Sequence, residues 1–294
     1  MIVGIPVVDG HDLTEVLLDS FEATVDEVNR PFRVVIIDNN SETPYKSADY
    51  EHYKFPVNVV EYAKNIGYYF PLRDLQQKFK DDYVGLIHND MVIYKNGWNV
   101  RMEQEFEMDH KLGLIGLCGS YEADALGGRG GGTMCHFAGK SVQVGDRQIL
   151  AQSQDAGVRI HGLRASLILD SLFMMFRSNA VHSLVRPADE KWEDITLAHF
   201  YDRIWPVRLI EAGWRVATMG VECDHLGGMT TTGNERYRQD CIDWLEERGL
   251  PYENPETEMY LIAERRWLGE YREGNKFLPA VIGEDYEITH RARH

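Results

Sequence analysis

The sequence predicts an α/β protein with a mostly parallel central sheet and helices on both faces. Three observations predict it. Short apolar runs rich in β-branched residues alternate with stretches whose apolar residues recur at helical spacing, the pattern of βαβ units. The runs are apolar almost throughout, as strands buried on both faces are. Several of them end abruptly in acidic or amide residues, which is where open α/β sheets place their ligands.

Taken in order, Ile2–Val8 reads as a strand, and Asp12–Val28 as a helix with Val16, Leu17, Phe21 and Val25 on one face. Arg33–Ile37 and Val57–Tyr62 are further strands, Leu72–Phe79 a helix, and Tyr83–Ile87 and Leu112–Leu117 strands again. The character changes between Gly119 and Gly162, where Gly127-Gly128-Arg129-Gly130-Gly131-Gly132 cannot hold regular structure cheaply. That stretch reads as a long loop, either a lid over the site or plain surface. Ser166–Phe176 reads as a buried strand, Trp192–Ala212 as mainly helical with Pro206 in its first turn, and Trp214–Val221 as a strand. From about residue 235 the pattern is helical and charged, with Trp244, Leu245, Tyr260, Leu261 and Trp267 as docking residues. The expected division is a domain over 1–234 and a helical extension over 235–294 packed on it.

Bulk properties narrow the class. With 294 residues and 44% hydrophobic content, the chain can bury one large core. A formal net charge of −16 repels phosphate backbones, which counts against non-specific binding to nucleic acid or anionic membranes. Only a local basic groove, from Arg159, Arg164, Arg177 and Arg186, would override that. Cys118, Cys135, Cys223 and Cys241 show no zinc-ligand rhythm and fit free thiols in a reducing compartment. No apolar run approaches the roughly 18–20 residues of a membrane span, and no leader pattern precedes the first strand. The expected location is the cytoplasm.

The candidate chemistry lies at the strand ends. Asp9 follows the first strand, Asp38-Asn39-Asn40-Ser41 the second, and His88-Asn89-Asp90 the strand Tyr83–Ile87. Each has a plain alternative, since Asp and Asn also form turns by bonding their own backbone. Asp202 sits before an expected helix start, where a carboxylate also favours the helix dipole. His225, after Trp214–Val221, is either a ligand or a structural histidine.

These pieces, in this order, resemble a known family. The Asp38 turn, Asn65-Ile66-Gly67, Tyr83–Ile93 with His88-Asn89-Asp90 inside it, and Gly97-Trp98 are similar to the nucleotide-sugar half of GT-A glycosyltransferases of the family 2 type. His199-Phe200-Tyr201-Asp202, Arg208, Ala212–Val216 and Asp224-His225-Leu226-Gly227-Gly228 are similar to their acceptor half. The resemblance covers roughly residues 1 to 232. It implies an enzyme that moves a sugar from a nucleotide-diphosphate sugar, UDP-sugar favoured, to an acceptor hydroxyl with inversion. Asp38 would hold the base or ribose, with Pro6, Val8, Asp9, Asn65, Gly67 and Asn89 lining the donor pocket and Asp170 near the sugar. Asp90 and His225 would bind Mn²⁺ or Mg²⁺, and Asp202 would be the general base.

Two departures stand out. The acidic triplet of the family reads His88-Asn89-Asp90 and keeps one carboxylate, and a competing acidic pair, Glu193-Asp194, makes Asp194 the alternative base. The acceptor implied is a saccharide, a protein or a small molecule, with a hydroxylated base in DNA not excluded. Two other readings were weighed. A sugar-1-phosphate nucleotidyltransferase needs a basic, glycine-rich signature where this chain has Val7-Val8-Asp9-Gly10-His11-Asp12. A non-catalytic nucleotide-sugar-binding protein would explain the incomplete triplet.

Overall fold

The fold is described from a computed structural model, over residues 1–123, 132–151, 157–184, 200–227 and 235–271. Its first half follows the alternation in the sequence. Strand β1 (Ile2–Val7) leads into helix α1 (His11–Thr24), then come β2 (Arg33–Asp38), β3 (Val57–Glu61), α2 (Tyr69–Phe79), β4 (Tyr83–Ile87), β5 (Met91–Ile93) and α3 (Trp98–Met108). Next are β6 (Leu112–Gly116), β7 (Cys118–Ser120), β8 (Thr133–Cys135), β9 (Ser141–Val144), β10 (Arg147–Leu150), β11 (Val158–Arg159), β12 (Leu163–Ala165), β13 (Ile168–Leu169) and β14 (Phe173–Arg177). The chain closes with α4 (Tyr201–Glu211), β15 (Arg215–Met219), β16 (Cys223–His225), α5 (Glu235–Glu247) and α6 (Pro255–Tyr271).

The main sheet runs β12-β15-β6-β14-β4-β1-β2-β3. Strands β3, β2, β1 and β4 pair in parallel, β6 pairs in parallel with β15, and β14 lies antiparallel to both β4 and β6. One cluster of buried side chains, including Phe21, Trp98, Phe106 and Phe173, fills one face, and a second, including Leu72, Leu75, Trp205 and Trp267, fills the other. Both faces are covered, which is why β1, β2, β4 and β6 read as continuous apolar runs.

Pro6 marks where the sheet opens. Met1 and Val7 direct their carbonyls to β2, and strand alternation turns Pro6 toward β4. The pairing of β1 with β4 ends at Gly4 and Leu86, so the N–H that proline lacks is not needed. Beyond that point the two strands part, and the loops at their carboxyl ends line a crevice.

Four expectations are corrected. The stretch from 119 to 162 is no long loop: its described part supplies β8, β11 and most of β7 to a four-stranded sheet, β11-β8-β7-β13, and forms a β9–β10 hairpin. Its strands are two to four residues long and partly exposed, too short to show a period. Ser166–Phe176 is two strands broken at Asp170, whose N–H bonds Cys118 O at 2.8 Å and whose carboxylate accepts Leu172 N–H. Helix α4 starts at Tyr201, so Asp202 lies in its first turn and Pro206 inside it. Arg177 is spent on the carbonyls of Phe106, Leu112 and Asp109 around the end of α3, which removes it from any basic groove. The run Gly127–Gly131, Arg186, Glu193-Asp194, His199, Gly228 and the chain beyond 271 lie outside the described residues.

Helices α5 and α6 pack on each other around Tyr237, Cys241, Trp244, Leu245 and Met259. Ala263 and Trp267 of α6 join the core on the second face of the main sheet. All four cysteines are buried thiols that form no disulfide.

Candidate metal centre

The centre is built where β4 leaves the main sheet. His88 N–H still bonds Leu172 O at 3.0 Å, beside the β13–β14 turn. Asn89 and Asp90 then turn the chain into β5, which pairs antiparallel with β16, setting Met91 opposite His225 and Val92 opposite Asp224. Leu226 N–H closes on Asp90 O at 2.8 Å. That register carries His225 to Asp90 across 135 residues of sequence. Strand alternation sends Asp224 to the other face, where it accepts Gly139 N–H, Lys140 N–H and the Tyr94 hydroxyl at 2.7, 2.8 and 3.1 Å.

His88, Asp90 and His225 offer donor atoms that all lie within 4.8 Å of one another. His225 Nε2 is 3.2 Å from Asp90 Oδ2, and His88 Nδ1 is 3.9 Å from Asp90 Oδ1. Asp90 is only 3% exposed, and its Oδ1 is buried without a hydrogen-bond partner among the described residues. Burial works to raise the Asp90 pKa, but the hydrogen bond with His225 and the charges of both histidines pull it below the usual carboxylate value. Burial lowers the His88 pKa in turn, which favours the neutral imidazole that a metal requires. A buried carboxylate oxygen left unpaired between two imidazoles is what a divalent cation would satisfy. The donor set fits one.

Around the cluster stands a tyrosine pair. Tyr201 hydroxyl lies 3.3 Å from His88 Nε2, and the Tyr68 and Tyr201 rings stack at 4.5 Å. Burial pushes Tyr68 up to about 12, with Asp90 and Asp202 both adding to the rise. Asp202 is half-buried and follows Tyr201, whose hydroxyl reaches His88, in the first turn of α4. Asp170 is next to the cluster along the chain, since its carboxylate accepts the N–H of Leu172, whose carbonyl bonds His88 N–H.

The loops after β1, β2 and β3 hold a different arrangement. Asp38 is fully buried and accepts Ser41 N–H at 2.8 Å and Tyr45 N–H at 3.1 Å, one on each carboxylate oxygen. It organises the turn that follows β2. Asn89 is also inward, its amide 3.4 Å from Gly10 O and from Thr14 Oγ1 at the start of α1. Pro6 is buried in β1, and Val8 and Asp9 border the opening. Asp9 accepts Glu42 N–H at 2.8 Å and donates its own N–H to Ser41 Oγ at 2.8 Å. Asn65 accepts Gly67 N–H, with Gly67 at φ 70°, and donates to Asp240 Oδ2 at 2.9 Å. Arg236 donates to Asn40 O at 3.0 Å. A cavity of about 350 Å³ lies there, lined by Asn40, Asn65, Lys64, Arg236, Asp240 and Trp244 among others. A separate apolar cavity of about 470 Å³ between α2 and β2–β3 holds none of this chemistry.

The structure brings Asp90 and His225 into contact and sets Asp170 and Asp202 beside the residues that bond His88, while Asp9, Asn65 and Gly67 lie on the loops after β1 and β3. Asp194 lies outside the described residues. Sequence reading did not single out His88 as a ligand, although an imidazole in the first position of the triplet was a signal. Tyr68, Tyr201, Arg236 and Asp240 had no such signal.

No protein-family model matches the chain, and no curated protein sequence matches it. Among solved structures, the fold is similar to that of GalNAc-T7 with UDP, GalNAc and Mn²⁺, at 10% identity and a TM-score of 0.57 over 83% of this chain and 47% of that one. It is also similar to the mannosyltransferase PcManGT from Pyrobaculum calidifontis in complex with GDP-Man and Mn²⁺, at 13% identity and a TM-score of 0.51 over 96% of this chain and 73% of that one. The chain spans about half the length of GalNAc-T7. At these identities the likeness shows the fold, and the chain has the GT-A fold.

Proposed function

We propose that the chain is a divalent-metal-dependent, inverting glycosyltransferase that moves a sugar from a nucleotide-diphosphate sugar, UDP-sugar favoured, to an acceptor hydroxyl. One observation carries the reading: Asp90 and His225 meet beside an unpaired carboxylate oxygen at the ligand rim of a GT-A sheet. The solved neighbours hold UDP or GDP-mannose together with Mn²⁺, which supports the class.

In this reading Asp90 and His225 hold a cation, Mn²⁺ or Mg²⁺, which when bound neutralises charge developing on the leaving diphosphate. Asp9, Asn65 and Gly67 line the nucleoside side, and Asp170 orients the sugar. Asp202 accepts the proton of the attacking hydroxyl, a role worth about 10²- to 10⁴-fold in rate. Residues 1–234 are the catalytic domain, and 235–294 an extension whose Arg236 and Asp240 reach the nucleoside side. The acceptor is a saccharide, a protein side chain or a small metabolite; the net charge of −16 weighs against a base in DNA. Among the described residues no helix is long and apolar enough to cross a membrane, and the proposed location is the cytoplasm.

The test is release of nucleoside diphosphate from a panel of UDP- and GDP-sugars with Mn²⁺, with and without candidate acceptors. Asp202→Asn is expected to keep donor affinity, read by calorimetry, and to lose transfer by at least about 10²-fold. Transfer near the parent rate would move the base to Asp194. Absence of donor turnover and of nucleotide binding across the panel would overturn the reading.

A further inference from the structure

The cation site differs from an all-carboxylate one in a way that dictates which ion it takes. His88 stands two residues before Asp90, and its Nδ1 faces the carboxylate oxygen that lacks a partner, 3.9 Å away. Cis ligand atoms around an ion with bonds of about 2.1 Å lie roughly 3.0 to 3.4 Å apart, so small rotations of two side chains bring His88 Nδ1 and His225 Nε2 into one shell with Asp90. The other nitrogen of His88 lies against Tyr201 hydroxyl at 3.3 Å. In the tautomer where Nε2–H donates to Tyr201 oxygen, the Nδ1 lone pair points to the cation position. Metal-bound histidines are held this way by a partner on the far nitrogen.

We propose that this chain binds its cation through His88 Nδ1, His225 Nε2 and Asp90, and that this nitrogen-rich set selects Mn²⁺ and the later first-row divalent ions against Mg²⁺ and Ca²⁺. The proposal rests on the metal-dependent reading above and narrows it. Mg²⁺ and Ca²⁺ are hard ions that take oxygen ligands, and Mg²⁺ gives up water reluctantly. Two imidazoles offer them little. Mn²⁺ tolerates imidazole, and affinity for such a set climbs from Mn²⁺ through Co²⁺ to Cu²⁺. Tyr201 is a positioning residue: it fixes the His88 ring and joins it to α4, the helix that also carries Asp202.

The test uses the full chain, the metal alone, and the metal with UDP. Free Mn²⁺ is followed by its electron paramagnetic resonance signal, Mg²⁺ and Ca²⁺ by competition, and ligand nitrogens are counted by pulsed resonance on the Cu²⁺-loaded protein. The parent chain should show two imidazole nitrogens and prefer Mn²⁺ over Mg²⁺ by at least about tenfold. His88→Gln should lose one nitrogen signal and weaken Mn²⁺ about tenfold or more. His88→Asp should keep binding but shift preference toward Mg²⁺. Tyr201→Phe should keep both nitrogen signals and weaken Mn²⁺ about tenfold. Two nitrogens and unchanged Mn²⁺ affinity in His88→Gln would overturn the assignment. A parent chain with one nitrogen overturns it too, while leaving the glycosyl-transfer reading intact. A parent chain that binds UDP but no divalent ion overturns both the ligand set and metal dependence, and separates that failure from the first.

Discussion

Asp38 and Asp90 look alike in the sequence, each an aspartate at or just past the end of an apolar strand, and the structure treats them in opposite ways. Both carboxylate oxygens of Asp38 are filled by backbone N–H groups of Ser41 and Tyr45. Asp90 has one oxygen against His225 and the other unpaired. A buried polar atom without a partner is costly, and a carboxylate oxygen set between two imidazoles is one that a cation would satisfy. Asp38 is tied into its own turn, whereas Asp90 keeps the open acceptor on which the proposed cation site rests. The difference lies in hydrogen-bond satisfaction, which strand-end position cannot reveal.

The comparison can be broken by experiment. Asp90→Ala should lower donor turnover about 10³-fold, since charge stabilisation by an ion is worth several kcal/mol, while the unfolding free energy moves by no more than about 1 kcal/mol. Asp38→Ala should do the reverse. Two buried N–H groups lose their acceptor, costing about 3 kcal/mol in urea denaturation, with nucleotide affinity reduced only as far as the turn is disordered. Turnover lost in Asp38→Ala at full stability would return that residue to a binding role. The smallest effect tests the clasp between Asn65 and Asp240. Asn65→Ala should cost about 1 kcal/mol and speed amide exchange in α5 about fivefold, leaving Mn²⁺ affinity unchanged.

Much of this was legible. The parallel half of the sheet declared itself because β1, β2 and β4 are fully buried and so apolar at every position. The meeting of Asp90 and His225 followed from a resemblance in residue order, not from spacing. Strands of two to four residues between 118 and 165 were invisible because a period cannot be read in so few positions. The start of α4 was misjudged because Pro206 suits a first turn, yet buried Tyr201, Ile204 and Trp205 extend the helix in front of it. The inward hydrogen bonds of Asp38 and Asn89 were likewise hidden, because strand-end position does not say where an oxygen or an amide points.

The β5–β16 ribbon has three residue pairs, and they fix which way His225 looks. Sliding one strand past the other by a single position would turn its imidazole to the opposite face and bring Asp224 or Leu226 beside Asp90. Chain length between Met219 and Cys223 is therefore rationed, because one inserted residue there would disarm the centre without unfolding the sheet. The β9–β10 hairpin backs that ribbon instead of setting its register, with buried Val144 packed in one cluster with Val92 and Leu226.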